Sequence, residues 1–192
     1  MTNAAGPLVD PASPSLQLRV AEIWRYPVKS LGGERVTAAL VGDAGIEGDR
    51  VRGILDLDTG KVLTARRAPQ LLFASASYRD GEVIITLPDG VETADDAVLS
   101  RWLERDVTLR APSDHGATYE NPMDVENDAD WVSWQGPGGS FHDSGGSRMS
   151  LVSRTSLGQW DQRRFRSNVI LDGSNEDGLV GARVAVGDEV VL

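Results

Sequence analysis

The chain has 192 residues, of which 40% are hydrophobic, and its net charge at pH 7 is -10. This length and apolar content suffice for one large domain or two small intertwined ones. The acidic balance argues against nucleic acids and anionic membranes as general partners, because neutralising phosphates requires clustered lysine and arginine.

The composition also excludes chemistry that depends on cysteine. The sequence contains no cysteine, so it offers no disulfide, no thiolate nucleophile and no thiolate ligand. Its two histidines, His115 and His142, do not occur in a zinc-binding spacing. We therefore predict no metal ligands in this sequence.

Hydropathy predicts a protein without membrane segments. No apolar stretch approaches the roughly 20 residues of a membrane-spanning helix. Residues 1–17 lack the basic start and the apolar run of a secretory signal, and their content of Pro, Ala and Ser indicates a disordered tail. These observations predict a cytoplasmic location.

The first half of the chain is predicted to be mostly β, because apolar residues alternate between turns that contain glycine and aspartate. The predicted strands are residues 18–26, 35–41, 51–57, 61–65, 71–78, 82–87 and 107–109. Two hairpins are predicted, the first joining 51–57 to 61–65 and the second joining 71–78 to 82–87. Residues 94–105 are predicted to be a helix with Thr93 as its N-cap.

Residues 112–147 break this pattern. The segment is polar, acidic and rich in glycine, and a structureless loop of this length is unusual in a compact domain. Its aromatic residues indicate that part of it packs against the protein. We predict a domain over residues 18–111 and a second over residues 112–192.

The second predicted domain is also mostly β. Strands are predicted over residues 149–153 and 165–171, with a final strand pair over residues 183–192. A short helix is predicted over residues 155–160. The predicted fold class is therefore mostly β with few helices.

Three basic clusters lie at the ends of predicted strands, where rigid scaffolds often present functional groups. They are Lys29 with Ser30, Arg66 with Arg67, and the segment 163–168. If the strands assemble side by side, the clusters converge on one phosphate or carboxylate, which arginine recognises through its planar fork. The alternative is that they are surface cations paired with the many carboxylates.

The third cluster has an internal pattern. If a strand has begun there, Arg164, Arg166 and Asn168 share one face, and Phe165 points into the core.

Two weaker signals lie in the long polar segment. His142 and Asp143 form the pair expected of a general base oriented by a carboxylate, although no serine elbow or cysteine accompanies them. Ser147 and the two glycines before it could offer backbone N–H groups to an anion, with a plain turn as the alternative.

Four motifs in order resemble the MOSC family with its N-terminal β-barrel domain. The motifs are residues 25–30 (RYPVKS), 45–50 (GIEGDR), 63–66 (LTAR) and 164–169 (RFRSNV). The family includes the C-terminal part of molybdenum cofactor sulfurases and the mitochondrial amidoxime-reducing component. The resemblance covers residues 18–192 and implies a β-barrel-like N-terminal part followed by an incomplete MOSC-type β-barrel.

The resemblance implies binding of the pterin-based molybdenum cofactor and, at family level, a link to pyridoxal phosphate. Family members transfer sulfur to the molybdenum cofactor or use it to reduce N-hydroxylated compounds. The residues that match the family's cofactor contacts are Lys29, Ser30, Arg66, Ser147, Arg166 and Asn168. By this resemblance the lysine and the two arginines pair with the terminal phosphate, and the serines and the asparagine hydrogen-bond it.

One departure from the family is the cysteine whose thiolate ligates molybdenum. It is expected beyond residues 183–192, and this sequence stops at Leu192. A soft thiolate is what selects such a metal, so we expect the chain by itself to lack the metal-dependent reaction. Whether the chain is part of a longer protein or a natural short form is left open.

The departure leaves two alternatives to cofactor binding. One is a non-catalytic module that binds a phosphorylated ligand or a partner protein, and the other is a structural or oligomerising remnant. Missing strands would leave an exposed sheet edge, which favours a homo-oligomer. The expected partner is a small-molecule cofactor with a phosphate, and the catalytic residues, the substrate and the electron donor are left open.

Overall fold

In a computed structural model of the protein, residues 18–124 and 130–182 are described with their side chains, and residues 185–186 and 189–190 as backbone. The strands are β1 (Arg19–Arg25), β2 (Glu34–Val36), β3 (Val41–Gly42), β4 (Gly45–Ile46), β5 (Gly53–Asp56), β6 (Ser75–Arg79), β7 (Glu82–Thr86), β8 (Glu92–Thr93), β9 (Val107–Arg110), β10 (Thr118–Pro122), β11 (Trp131–Gln135), β12 (Leu151–Ser153), β13 (Val169–Asp172), β14 (Ala185–Val186) and β15 (Glu189–Val190). The α-helices are α1 (Asp96–Leu103) and α2 (Arg154–Leu157), and 3₁₀ turns span Pro69–Phe73, Gln162–Arg164 and Glu176–Leu179.

The predicted mostly β class is confirmed. Strands account for 36% and helices for 15% of the structure, counted over its described part. Within that part the sheets are small, and none of them closes into a barrel. No helix in the described ranges has the length and apolar character needed to span a bilayer.

The chain forms two compact units. The central unit is residues 24–149, and the terminal unit combines the described residues up to Ile23 with those from Ser150 onward. Strand β1 begins in the terminal unit and ends in the central unit. The predicted domain boundary between residues 111 and 112 stays a prediction, as does the disordered tail over residues 1–17, which lies outside the described residues.

The central unit is built from two- and three-stranded antiparallel sheets around an apolar core. Its sheets pair β6-β7-β8, β5 with β9, β10 with β11, and β3 with β4. The largest fully buried side chains of its core are Leu31, Ile54, Leu71, Ile85 and Leu99. Burial of these aliphatic side chains is the main stabilising contribution to the unit.

The predicted hairpin between β6 and β7 is confirmed, with Arg79 opposite Glu82. The two loop residues, Asp80 and Gly81, have φ angles of 52° and 87°. Positive φ at both positions is the type I′ geometry that matches the twist of the strands, and aspartate and glycine adopt it at low cost.

The other predicted hairpin is only partly confirmed. Asp56 N donates to Lys61 O at 2.9 Å, so the turn forms, but the second limb contributes a single bridge, Leu55 with Val62. The ladder partner of β5 is β9 instead. The strand predicted over residues 35–41 was also too long, because β2 ends at Val36.

Helix α1 confirms the predicted helix, but Thr93 is not its N-cap. The Asp95 carboxylate accepts hydrogen bonds from Ala97 N and Val98 N at 2.8 and 3.1 Å. Thr93 Oγ1 instead accepts from Asp95 N at 3.0 Å and so fixes the cap itself. Glu104 ends the helix in the left-handed region, with φ of 53°.

Part of the polar segment 112–147 packs against the protein, as predicted, and it also contains two strands that were not predicted. Strands β10 and β11 form an antiparallel pair within it, from Thr118 opposite Gln135 to Pro122 opposite Trp131. The buried aromatic residues Tyr119 and Phe141 belong to a second apolar cluster of the central unit together with Val62.

The terminal unit contains a mixed sheet. Within it β13 pairs in parallel with β12 and antiparallel with the first part of β1, where Ile23 lies opposite Val169. Helix α2 lies in the crossover that a parallel pair requires. The predicted final strand pair is confirmed in its described part, with Ala185 opposite Val190.

The strand predicted over residues 165–171 was wrong in its first half. Residues Gln162–Arg164 form a 3₁₀ turn, and β13 begins only at Val169. Phe165 is half exposed, and Arg166 adopts a left-handed backbone conformation, so the predicted alternation of faces fails.

Candidate functional site

The segment after β1 is held by backbone hydrogen bonds to another segment of the central unit. Lys29 N donates to Arg52 O at 2.9 Å, and Arg52 N donates to Pro27 O at 3.0 Å. Val28 forms a parallel bridge to Arg52 and is fully buried. The Lys29 side chain therefore extends from a backbone that hydrogen bonds on both sides of it hold in place.

The ammonium group of Lys29 is buried and surrounded by acceptors. Its Nζ donates to Asp143 Oδ1 at 2.6 Å and to Phe141 O at 3.3 Å. It also lies 4.6 Å from the centre of the Tyr119 ring, within range of a cation–π interaction. A buried ammonium requires such partners, because loss of hydration is otherwise very unfavourable.

Tyr119, whose ring lies against this ammonium, packs on its other neighbour, Trp134. Their ring centres are 4.7 Å apart, and the residues face each other across β10 and β11. Tyr119 Oη and Trp134 Nε1 are buried and have no hydrogen-bond partner within residues 18–124 and 130–182. Burial, together with the negative charge of Asp143, raises the pKa of Tyr119 well above its usual value, so the hydroxyl keeps its proton.

His142 lies between the two residues that bind Lys29 and is itself buried. Burial, the largest cause, and the positive charges of Arg50, Arg148 and Lys29 together lower its pKa from 6.5 to about 4, against a raising effect of Asp49. The ring is therefore neutral at pH 7. Its Nε2 is buried with no hydrogen-bond partner among the described residues. We call Lys29, Tyr119, Trp134, His142 and Asp143 the Lys29 cluster.

His142 should make the protein less stable in mild acid. The unfolded chain gains a proton on His142 near pH 6.5 and the folded chain only at about 4. The free energy of unfolding should therefore fall as the pH drops from 6.5 towards 4, by up to about 3 kcal/mol. Denaturant unfolding at several pH values should show a shallower slope in this window for His142→Gln than for the unmodified protein.

The exposed His115 provides the matched control for this experiment, because it is the other histidine of the sequence. His115→Gln should leave the pH slope unchanged. Equal slopes for the unmodified protein and His142→Gln would contradict the attribution of this acid sensitivity to His142.

A buried carboxylate positions the residues that precede Lys29. Asp49 Oδ1 accepts a hydrogen bond from Tyr26 N at 2.6 Å, and Asp49 Oδ2 pairs with the guanidinium of Arg50. Arg50 N donates to Tyr26 O at 2.7 Å, and its guanidinium lies 5.3 Å from the centre of the Tyr26 ring. The second motif, residues 45–50, thus fixes the backbone of the first motif at Tyr26, three residues before Lys29.

Ser30 joins the first motif to the third. The residue is buried with φ of 71°, and its Oγ accepts a hydrogen bond from Ala65 N at 3.1 Å. The guanidinium of Arg66, the next residue, donates to Asn121 Oδ1 at 2.5 Å. The neighbouring Arg67 lies over the Trp131 ring at 4.6 Å. The predicted residues Lys29, Ser30 and Arg66 therefore lie on segments that are hydrogen-bonded to each other.

Ser147, a further predicted contact, is exposed. Its Oγ donates to Met149 O at 3.4 Å, and Ser144 and Ser147 form a bridge around the two glycines. This geometry is that of a local turn, and the role of Ser147 as a cofactor contact stays a prediction.

Arg166 and Asn168 belong to the terminal unit. Asn168 is buried, its Oδ1 accepts from Ser150 N at 3.2 Å, and its N donates to Ser150 O at 2.8 Å. Arg166 has φ of 51° and is half buried. The gathering of Lys29, Arg66 and Arg166 around one anion stays a prediction.

Sequence reasoning missed the aromatic part of the Lys29 cluster and its supporting carboxylate. Tyr119 and Asp49 had no assigned role, and His142 with Asp143 was considered only as a weak acid–base signal. In the structure Asp143 binds Lys29. Within the described part of the chain, no three His, Asp or Glu side chains are grouped as ligands of one metal ion.

Comparison with known proteins supports the family resemblance. The family model described as the MOSC N-terminal beta barrel domain matches residues 17–134, which include Lys29, Tyr119 and Trp134. Two similar proteins are named mitochondrial amidoxime reducing component 2. The protein from Bos taurus is 33% identical over 72 residues, which cover 36% of this chain and 21% of that protein. The protein from Macaca fascicularis is 33% identical over 73 residues, which cover 36% of this chain and 22% of that protein.

The matched stretch therefore spans about a fifth of the length of these relatives. The family match, in contrast, covers more than half of this chain and contains three of the four sequence motifs. The chain therefore belongs to the family of the MOSC N-terminal beta barrel domain.

Proposed function

We propose that the central unit binds the anionic group of a phosphorylated pterin, the organic part of the molybdenum cofactor, through Lys29. The observation that carries this proposal is a buried ammonium paired with a carboxylate that is itself exposed. Family membership supports the choice of ligand. Two similar proteins are named amidoxime reducing components, and the match covers about a fifth of their length. Extending the activity in their name to this chain is part of the proposal.

The donors of the Lys29 cluster fit a phosphate group. Lys29 supplies a positive charge in a buried setting, where charge-assisted hydrogen bonds are strong. The Tyr119 hydroxyl keeps its proton and, as far as the described residues show, has no acceptor. A buried donor of this kind is stabilised by an acceptor oxygen brought by a ligand.

The metal end of the cofactor finds no thiolate in this sequence, because the sequence contains no cysteine. When bound, the cofactor supplies two-electron redox chemistry at its metal or accepts sulfur there. The residues described above hold and orient the phosphate end and exclude water from Lys29. A cytoplasmic location and a homo-oligomer remain predictions.

A titration of each variant with the molybdenum-free pterin tests the proposal. Lys29→Met keeps the length and apolar stem of the side chain and removes its charge. We expect the affinity measured by calorimetry to fall at least about tenfold, the size of one charge-assisted hydrogen bond. The matched control is Lys61→Met, since Lys61 is the other lysine of the sequence and also pairs with a carboxylate, Glu120 Oε1 at 2.6 Å.

The control variant should bind as the unmodified protein does. Equal affinities for Lys29→Met and Lys61→Met would overturn the proposal.

A non-catalytic phosphate-binding module is the second candidate. It is favoured by the retention of a buried cation in a sequence without cysteine. Inorganic phosphate in the same titration separates the two candidates. Preferential binding of the pterin supports the cofactor, and equal weak binding of both ligands supports the general module.

A further inference from the structure

The ion pair between Lys29 and Asp143 is strongly asymmetric in its exposure. The side chain of Lys29 is 6% exposed, whereas that of Asp143 is 80% exposed, although their atoms are 2.6 Å apart. The other lysine pair is different, because both Lys61 and Glu120 are partly buried, at 28% and 15% exposure. Asp143 therefore reaches inward from the surface to a cation that lies beneath it.

The two partners lose very different amounts of free energy if they separate. An ammonium at this depth is poorly hydrated, so it needs a negative partner at all times. The carboxylate of Asp143 already contacts water and can regain full hydration by a small outward movement. Asp143 is the first residue of an exposed stretch, residues 143–147, which contains two consecutive glycines. Replacing Asp143 by another anion on Lys29 should therefore cost far less free energy than leaving Lys29 without any anion.

The charges around the cluster favour an incoming phosphate over a carboxylate. Lys29, Arg50 and Arg148 all act electrostatically on His142, opposed there by Asp49. With Asp143 turned outward, these three cations outnumber the one carboxylate, Asp49, that acts on the same ring. A phosphate monoester, which is doubly charged near neutral pH, compensates this excess better than a single carboxylate does.

A second observation points to a ligand at the same place. Tyr119 is fully buried beneath the ammonium, and its pKa responds to the charge of Asp143, so its hydroxyl lies within electrostatic range of that carboxylate. Nevertheless Tyr119 Oη donates to no acceptor in the described ranges of the chain. The carboxylate of Asp143 thus satisfies the charge of Lys29 while leaving a neighbouring donor unused.

We propose that Asp143 is an internal competitor, whose carboxylate occupies the position that a phosphate takes on Lys29. Binding is then an exchange reaction: the phosphate replaces the carboxylate on the ammonium and accepts a hydrogen bond from Tyr119, and Asp143 moves into water. The inference rests on the proposed function in that it concerns the same anion site. It adds that the site is inhibited by its own chain and is selective for doubly charged phosphate groups.

The test is Asp143→Asn, which keeps the size of the side chain and removes its charge. Because a competing charge is lost, the affinity for inorganic phosphate and for the molybdenum-free pterin should rise about tenfold, as measured by calorimetry. Without ligand, the same variant should unfold at lower denaturant concentration than the unmodified protein, because the buried ammonium has lost the negative charge that pairs with it. Saturating phosphate should restore the midpoint.

The matched control is Glu120→Gln, which removes the carboxylate partner of Lys61. It should also lower the unfolding midpoint, but phosphate affinity should stay unchanged and phosphate should not restore the midpoint more than it does in the unmodified protein. The double variant Lys29→Met with Asp143→Asn should not bind phosphate. Together these variants separate competition at Lys29 from a general loss of charge.

The outcomes distinguish this inference from the proposed function. Unchanged or weaker binding by Asp143→Asn, together with loss of binding in Lys29→Met, would overturn the inference that Asp143 competes with phosphate. It would leave the proposed function in place. Tighter binding of inorganic phosphate without preference for the pterin would support the competitor and overturn the pterin assignment. Absence of binding by both the unmodified protein and Asp143→Asn would overturn both.

Discussion

Replacing Asp49 by alanine should lower the free energy of unfolding by about 3–5 kcal/mol, the usual effect of breaking a buried ion pair from one side. Asp49 is 4% exposed and accepts a hydrogen bond from Tyr26 N while pairing with Arg50. Alanine leaves the backbone donor of Tyr26 and a largely buried guanidinium without this acceptor. Denaturant unfolding followed by far-UV circular dichroism measures the loss.

Two further variants make the Asp49 result specific. Asp49→Asn keeps an acceptor for Tyr26 N and loses only the charge, so we expect it to be less destabilising than alanine. Asp43→Ala removes an exposed carboxylate from the neighbouring turn and should change the free energy of unfolding by no more than about 0.5 kcal/mol. A loss below about 1 kcal/mol for Asp49→Ala would show that the carboxylate does not organise this segment.

Replacing Tyr119 by alanine should have an effect of similar size, about 3–5 kcal/mol, because a buried aromatic ring is lost and a cavity remains. The ring is fully buried, packs against Val62 and Phe141, and contacts both Trp134 and the ammonium of Lys29. Thermal or denaturant unfolding measures the change. The loss should persist at high salt, since it comes mainly from packing.

Tyr119→Phe should act in the opposite direction on stability. Its hydroxyl is buried and finds no acceptor in the residues that the structure describes, so its removal should raise the free energy of unfolding by about 1 kcal/mol. If the hydroxyl binds an incoming phosphate, the same variant should bind phosphate more weakly. A phenylalanine variant that is less stable than the unmodified protein would mean that the hydroxyl is already satisfied.

Local sequence signals predicted much of the fold because they act within a few residues. The Asp80-Gly81 turn specifies its hairpin by backbone conformation alone, and α1 follows from a carboxylate at its N-terminus and an apolar face. Strand β10 was missed because Tyr119 is its single buried residue. One apolar side chain does not produce the alternation by which strands are recognised.

The error before β13 has a local cause of another kind. The Asp161 carboxylate accepts a hydrogen bond from Arg163 N at 2.9 Å and begins a 3₁₀ turn in a stretch that alternates like a strand. Ser150 O then accepts from both Asn168 N and Val169 N, which sets the start of β13 from outside the segment. Side-chain capping of this type competes with strand formation and does not alter the hydrophobic pattern.

Only part of the candidate site was predicted from the sequence. Lys29 and Ser30 were identified from their place after a strand and from the family motifs. Their partners, Asp143 and Tyr119, are distant in the sequence and lie in a segment interpreted as a loop. Contacts of this kind depend on how the whole central unit packs, which neither periodicity nor spacing encodes.

The pairing of β1 with β13 has a consequence for biosynthesis. The central unit is continuous along the chain, so it can acquire its structure as soon as residue 149 has left the ribosome. The first strand of the terminal unit, in contrast, must wait until a partner roughly 150 residues later has been translated, and closing so large a loop is slow. Residues 19–23 are therefore expected to remain accessible to chaperones until residue 172 has been translated, and only then to pair with β13.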